Sequence, residues 1–189
     1  MGTVLGELNP QGYLEVWKKY TDGTEELHFS ERNVITSGMG VGLAYFFGGT
    51  GSDSVLDYQI KYFQVGEDAP ADFGVSTYEL GDELNELQYS SSSLIIENNA
   101  QLKNGSYFDE DMLVIPQAMI RRPAINSVQY VLTLDNSSTN GVTLNEIGLL
   151  MKNPMGTIPI HPILVAYRKF NQITKREEFS LIFKWTISF

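Results

Sequence analysis

Carboxylates are the commonest groups in this chain that could carry acid–base or metal chemistry: 23 Asp and Glu stand against two histidines and no cysteine in 189 residues. A histidine acts as a general base only with a convergent partner, and a structural zinc site needs about four ligands. His28 and His161 are isolated from one another and from any cysteine, so neither chemistry is expected. Paired acids can hydrolyse glycosides, and acid-rich loops can hold calcium. Asp109-Glu110-Asp111 is a local cluster, yet it lacks the alternating ligands and the glycine of an EF-hand loop, and a solvated loop is the plainer reading. Gly38, Gly40 and Gly42 flank Met39 without the Gly-Lys-Ser/Thr of a phosphate-cradling loop. Gly-x-Ser-x-Gly is absent, so the serines have no nucleophile elbow. The expectation is a protein with no catalytic residue, no cofactor and no metal ligand. A hydrolase using loop carboxylates is the enzymatic alternative.

Aromatic residues make up 12% of the chain, and exposed Tyr and Trp can stack on sugars. Trp17 is the candidate for such a platform, which makes a carbohydrate-binding module for a host surface glycan the alternative among binding functions. The formal charge is −10 and the 13 basic residues are scattered, so no surface is expected to neutralise phosphates and direct nucleic-acid binding is not expected. Without cysteine there is no disulfide framework, and synthesis and assembly in a cytoplasm fit. The first residues lack the pattern of a secretion signal. The apolar run 39–47 is shorter than the roughly 20 residues of a membrane helix, so membrane insertion is not expected.

The elements that must position any surface are mostly strands. From Phe179 to Phe189 large apolar groups alternate with smaller or polar ones, so that Phe179, Leu181, Phe183, Trp185, Ile187 and Phe189 share one face. That row is expected to be core, with a subunit interface as the alternative. Residues 12–29 read as a hairpin turning at Asp22-Gly23, where glycine supplies a positive φ. Tyr13, Glu15, Trp17 and Lys19 share one face of it, and Leu14, Val16, Lys18 and Tyr20 the other. Neither face is cleanly apolar, which suits either an arm that docks on a neighbour or an ordinary edge hairpin. Ser30 is a candidate N-cap for a helix towards Phe47, at a cost of up to about 1 kcal/mol for each glycine within it. Further strands are expected at 58–66, 112–116, 128–134, 142–151 and 163–168, with 128–134 and 142–151 forming a second hairpin about the turn 135–141. Residues 67–86 are acidic and loop-like, interrupted by Pro70, Gly74 and Gly81.

Several pieces stand in a fixed order: Asn33-Val34-Ile35-Thr36-Ser37-Gly38 leading into the Gly-rich segment, Ile60-Lys61-Tyr62-Phe63-Gln64-Val65-Gly66 before the acidic stretch with Ala69-Pro70, and Leu80-Gly81-Asp82-Glu83-Leu84. Leu144-Asn145-Glu146-Ile147-Gly148-Leu149, Ile163-Leu164-Val165-Ala166-Tyr167-Arg168, Ile173-Thr174-Lys175 and the closing Phe183-Lys184-Trp185-Thr186-Ile187-Ser188-Phe189 follow. Taken in order, they resemble the virion structural proteins of tailed bacteriophages, of the tail-fibre, baseplate or neck type. The resemblance spans about residue 30 to the end and implies an antiparallel β-sandwich used as an assembly module in the virion. It implies copies of the chain itself and other virion proteins as partners. The expected organisation is a hairpin arm over 1–29 and a β-sandwich with one short helix over 30–189. Tyr13, Trp17 and Tyr20 in the hairpin, and Glu67, Asp68, Asp82 and Glu83 in the acidic stretch, are the candidate contacts, because arms and long loops reach beyond a compact core.

Overall fold

Burial with period two marks residues 11–16 and 179–188. The computed structural model describes residues 10–35, 37–48, 59–66, 108–109, 112–138, 140–151 and 163–189. They form strands β1 (Gln11–Tyr20), β2 (Glu25–Ile35), β3 (Ile60–Gly66), β4 (Phe108–Asp109), β5 (Met112–Val114), β6 (Ile120–Ala124), β7 (Ser127–Leu134), β8 (Thr143–Met151), β9 (Ile163–Thr174) and β10 (Phe179–Ser188), with one α-helix, α1 (Ser37–Gly48), and a single 3₁₀ turn at Gln117–Met119. In β10 the burial alternates along the whole strand: Phe179, Leu181, Phe183, Trp185 and Ile187 face inward, and the intervening residues are half-buried. Phe189 leaves the row and is exposed.

The hydrogen-bonded strand order is β4-β5-β3-β8-β9-β2-β1-β10-β7-β6, and every neighbouring pair is antiparallel. This ladder doubles over at β2. Most of β2 pairs with β1, whereas Val34 and Ile35 at its end pair with Tyr167 and Ala166 of β9. The first sheet is therefore β2-β1-β10-β7-β6 and the second β4-β5-β3-β8-β9. Their inner faces meet where Trp185 lies 6.1 Å from Phe63 and Phe183 lies 6.0 Å from Phe170, between ring centroids. The fold is mainly β, an antiparallel β-sandwich with one short helix and an N-terminal hairpin.

The second sheet is buried on both faces. Phe63, Val65, Ile147, Leu149 and Val165 contribute to the central core, while Tyr62, Leu150, Leu164 and Tyr167 form a smaller cluster with Val114. That accounts for the unbroken burial of residues 62–66 in β3 and 146–151 in β8, which a one-sided sheet would not show.

Four expectations are corrected. Ser30 does not cap a helix: it lies within β2, opposite Glu15, and α1 begins at Ser37. Cross-strand pairing with β1 takes residues 30–33 before a helix can. Of the helix glycines, Gly42 has a packing reason, since a Cβ there would come within 2.4 Å of Met151 Sδ, while Gly40 meets nothing within 4 Å. Strands β7 and β8 are not a hairpin, because β7 pairs with β10 and β6 and β8 with β3 and β9; the turn between them carries the chain from one sheet to the other. Residues 10–29 are not an arm either. β1 is held between β2 and β10 over its full length, and the expected boundary at 29/30 falls inside β2.

Trp185 is fully buried, and large-to-small truncation of such a ring typically costs about 3–5 kcal/mol. Trp185→Ala is expected to lower the urea midpoint accordingly. Removing residues 179–189 strips the pairing partner from both β1 and β7, so that variant should give no soluble, cooperatively unfolding protein. A truncated chain with a wild-type unfolding transition would show that β10 is dispensable.

Candidate docking surface

Strand parity that sends Leu14 and Val16 into the core sends Tyr13, Glu15, Trp17 and Lys19 out on the opposite face of the first sheet. The register aligns these with outward positions of the neighbours. Arg32, Tyr13, Thr186, Gln129 and Arg121 form one row across the sheet, Ser30, Glu15, Lys184 and Val131 the next, and Leu27, Trp17, Ile182 and Thr133 a third. A bulge between Val16 and Trp17 displaces His28 from the ladder and brings Leu27 opposite Trp17. Tyr13 is 42% exposed and Leu27 46%, whereas Trp17 is half-buried among its neighbours.

The polar parts of this face are tied together. Tyr13 Oη and Ser30 Oγ are 2.6 Å apart, Trp17 Nε1 donates to Glu15 Oε2 at 3.2 Å, and Gln129 Nε2 donates to Thr186 Oγ1 at 3.2 Å. Lys184 places its Nζ 4.7 Å from the Trp17 ring centroid, a cation–π contact that covers one side of the indole. Lys19 pairs with Glu25 at 3.5 Å on the rim. The result is an aromatic centre with polar residues of both signs around it, held in place by contacts that exist before any partner arrives.

Tyr20 does not share this face. It packs edge-on to Phe179 at 5.8 Å on the inner side, and its hydroxyl donates to Glu26 Oε2 at 2.6 Å. The bond to the Glu26 carboxylate raises the Tyr20 pKa, and the same bond with that from Lys18 lowers that of Glu26. Tyr20 instead borders an open cleft of about 570 Å³ with Lys18, His28, Arg176 and Glu178. In it His28 Nε2 donates to the Asn171 carbonyl at 2.8 Å, and Lys18 Nζ pairs with Glu26 at 2.9 Å. His28 and Lys18 are thus engaged by neighbours outside the cleft lining. Among the described residues, no three His, Cys, Asp or Glu converge on a point that could hold a metal ion. No described helix is long and apolar enough to cross a membrane. Glu67, Asp68, Asp82, Glu83 and His161, with Glu110 and Asp111 of the acidic cluster, lie outside the described residues.

One chemically distinctive residue has no sequence signal. Lys175 follows β9 and is fully buried; its Nζ donates to the Arg176 carbonyl at 2.7 Å and to Asn140 Oδ1 at 3.2 Å, and lies 5.5 Å from the Phe179 ring centroid. Its burial depends on the turn between β7 and β8, far away in sequence.

The chain matches no protein-family model, no curated protein and no solved structure.

Burial disfavours the Lys175 ammonium and lowers its pKa from 10.5 to about 8, against the opposing pull of Asp135 and Glu178. Between about pH 8 and 10.5 the unfolded chain holds a proton that the folded chain has released, so this group makes the fold more stable as pH rises through that window. The difference in unfolding free energy between wild type and Lys175→Met should therefore move in favour of wild type across it. Paired urea titrations at the two ends of the window read this directly; a pH-independent difference would show an unperturbed amine.

Proposed function

We propose that this chain is a non-enzymatic structural subunit of a tailed-phage virion, a tail, baseplate, neck or fibre-attachment component that oligomerises and docks other virion proteins through the outer face of its first sheet. The observation that carries the docking part is the pre-ordered aromatic centre around Tyr13 and Trp17. Side chains already fixed by hydrogen bonds and by Lys184 lose little further freedom on association, which leaves more of the contact energy for binding. An aromatic centre ringed by polar groups also matches the anatomy of protein–protein contacts. The virion assignment rests on the ordered sequence pieces, and an antiparallel β-sandwich agrees with the fold they imply.

The same two rings favour a second reading, recognition of a host surface glycan. Sugar stacking needs a free ring face, however, and Lys184 covers one face of the half-buried Trp17. Docking of a protein surface, which can pair with Lys184 and Glu15 as well as cover the rings, is the better fit.

Light scattering on the purified chain and peptide mass spectrometry on purified particles test the reading together. The expected results are an oligomer in solution and the chain present in virions at a fixed stoichiometry. Trp17→Ala should weaken association by at least roughly tenfold, as loss of a central aromatic contact does, while changing unfolding stability by less than about 1 kcal/mol. A stable monomer absent from purified virions would overturn the assignment, and glycan binding abolished by Trp17→Ala would favour the second reading.

A further inference from the structure

The turn that carries the chain from β7 to β8 contains Asn140-Gly141, one of two Asn-Gly pairs in the chain, the other being Asn104-Gly105. This dipeptide is chemically labile. The glycine nitrogen, after losing its proton to solvent base, can attack the asparagine Cγ; the bond to Nδ2 breaks, ammonia leaves, and water opens the resulting succinimide to aspartate or isoaspartate. Glycine permits this because it has no side chain to obstruct the approach. Both reactants must be free to move for the ring to close.

At Asn140 neither is free. Its Nδ2 donates to the Asn136 carbonyl at 2.7 Å and its Oδ1 accepts from Lys175 Nζ at 3.2 Å, so the carboxamide is held at both ends. The attacking nitrogen is held as well, since Gly141 N donates to the Lys175 carbonyl at 2.9 Å and Lys175 N donates to the Val142 carbonyl at 2.8 Å. Gly141 has φ +86°, a left-handed conformation that fixes the direction of its N–H within this pairing. Lys175 therefore touches both halves of the reactive pair, with its side chain on the carboxamide and its backbone on the nucleophile. This also gives a use to a buried amine that no ion pair neutralises at hydrogen-bonding distance among its described contacts.

We propose that Lys175 protects a modification site: it holds the Asn140 carboxamide away from Gly141 N and so suppresses succinimide formation and deamidation at Asn140 in the folded protein. The substrate of this side reaction is the chain itself, and its product would place a new carboxylate or an isoaspartate kink in the connection between the two sheets.

The test is timed peptide mapping of the full-length protein incubated in native buffer and in urea at the same pH and temperature. In urea, Asn140 and Asn104 should deamidate at similar rates, since both precede glycine. In the native protein Asn140 should convert at least roughly tenfold more slowly than in urea. Lys175→Met, confirmed as folded by its thermal transition, should raise the native rate at Asn140 by roughly tenfold, the equivalent of one hydrogen bond from a charged donor. If that variant does not fold, Lys175→Gln serves in its place with the same expected direction. Native wild-type protein that deamidates at Asn140 as fast as it does in urea would overturn the proposal, as would a folded variant that reacts no faster than wild type. An Asn140–Lys175 cross-linked peptide pair, joined with loss of ammonia, would also overturn it, because the Lys175 amine would then have taken the carboxamide for itself.

Discussion

The contact between β10 and the second sheet is the constraint on which the rest depends. Trp185 against Phe63 and Phe183 against Phe170 join the two sheets face to face, and β10 is also the strand that separates β1 from β7. A shift of one residue in its pairing would turn Trp185, Phe183 and Leu181 to the outside and bring Lys184 and Thr186 into the core. The register is therefore tightly specified, and it settles both faces at once. The parity that buries Trp185 places Lys184 opposite Glu15 and beside the Trp17 ring on the outer surface. Core and candidate docking face are two sides of a single alignment.

The second sheet meets a different demand. With apolar clusters on both of its faces, it has little room for polar side chains, yet Glu146 is fully buried in β8. A buried carboxylate is costly unless hydrogen-bonded. Tyr167, across the ladder on β9, donates its hydroxyl to Glu146 Oε2 at 2.5 Å. The aromatic ring thus contributes to the smaller apolar cluster while its polar tip hydrogen-bonds one of the two carboxylate oxygens. Lys175 is handled in a similar way, by the Asn140 and Arg176 carbonyl groups and the Phe179 ring.

Local pattern made the strands legible where one face had to be buried. The alternation from Phe179 to Ile187 and the Asp22-Gly23 turn both appear in the fold, with Gly23 at φ +89°. The separation of Tyr13 and Trp17 from Tyr20 also follows from parity alone. Partner choice was not legible. Asp135 accepts from the Ser137 amide and hydroxyl and the Ser138 hydroxyl, as turn chemistry leads one to expect, but nothing in residues 135–141 says that β8 continues in the other sheet. Ser30 shows the same limit from the other side. Its capping propensity is real, and it is overridden by a cross-strand partner supplied by β1. Lys175 was invisible because its environment is assembled from a turn some thirty-five residues away in sequence.

Charge distribution bears on whether two such surfaces can approach. The chain carries −10, which at first sight opposes self-association. Of the 13 basic residues, only Lys103 and Lys152 lie outside the described residues, whereas more than half of the 23 acids do. The described strands are consequently close to neutral, and the outer face of the first sheet sets Arg32, Lys19, Lys184 and Arg121 beside Glu15 and Glu25. At physiological ionic strength, charges separated by more than about 8 Å of water are largely screened, so an acid-rich remainder weighs less on a contact than the residues within the contact itself. A face that carries both signs around an aromatic centre can meet a second mixed face without net repulsion. Orientation would then be selected by matching Lys184 and Glu15 to opposite charges, while covering Trp17 and Tyr13 supplies the attraction.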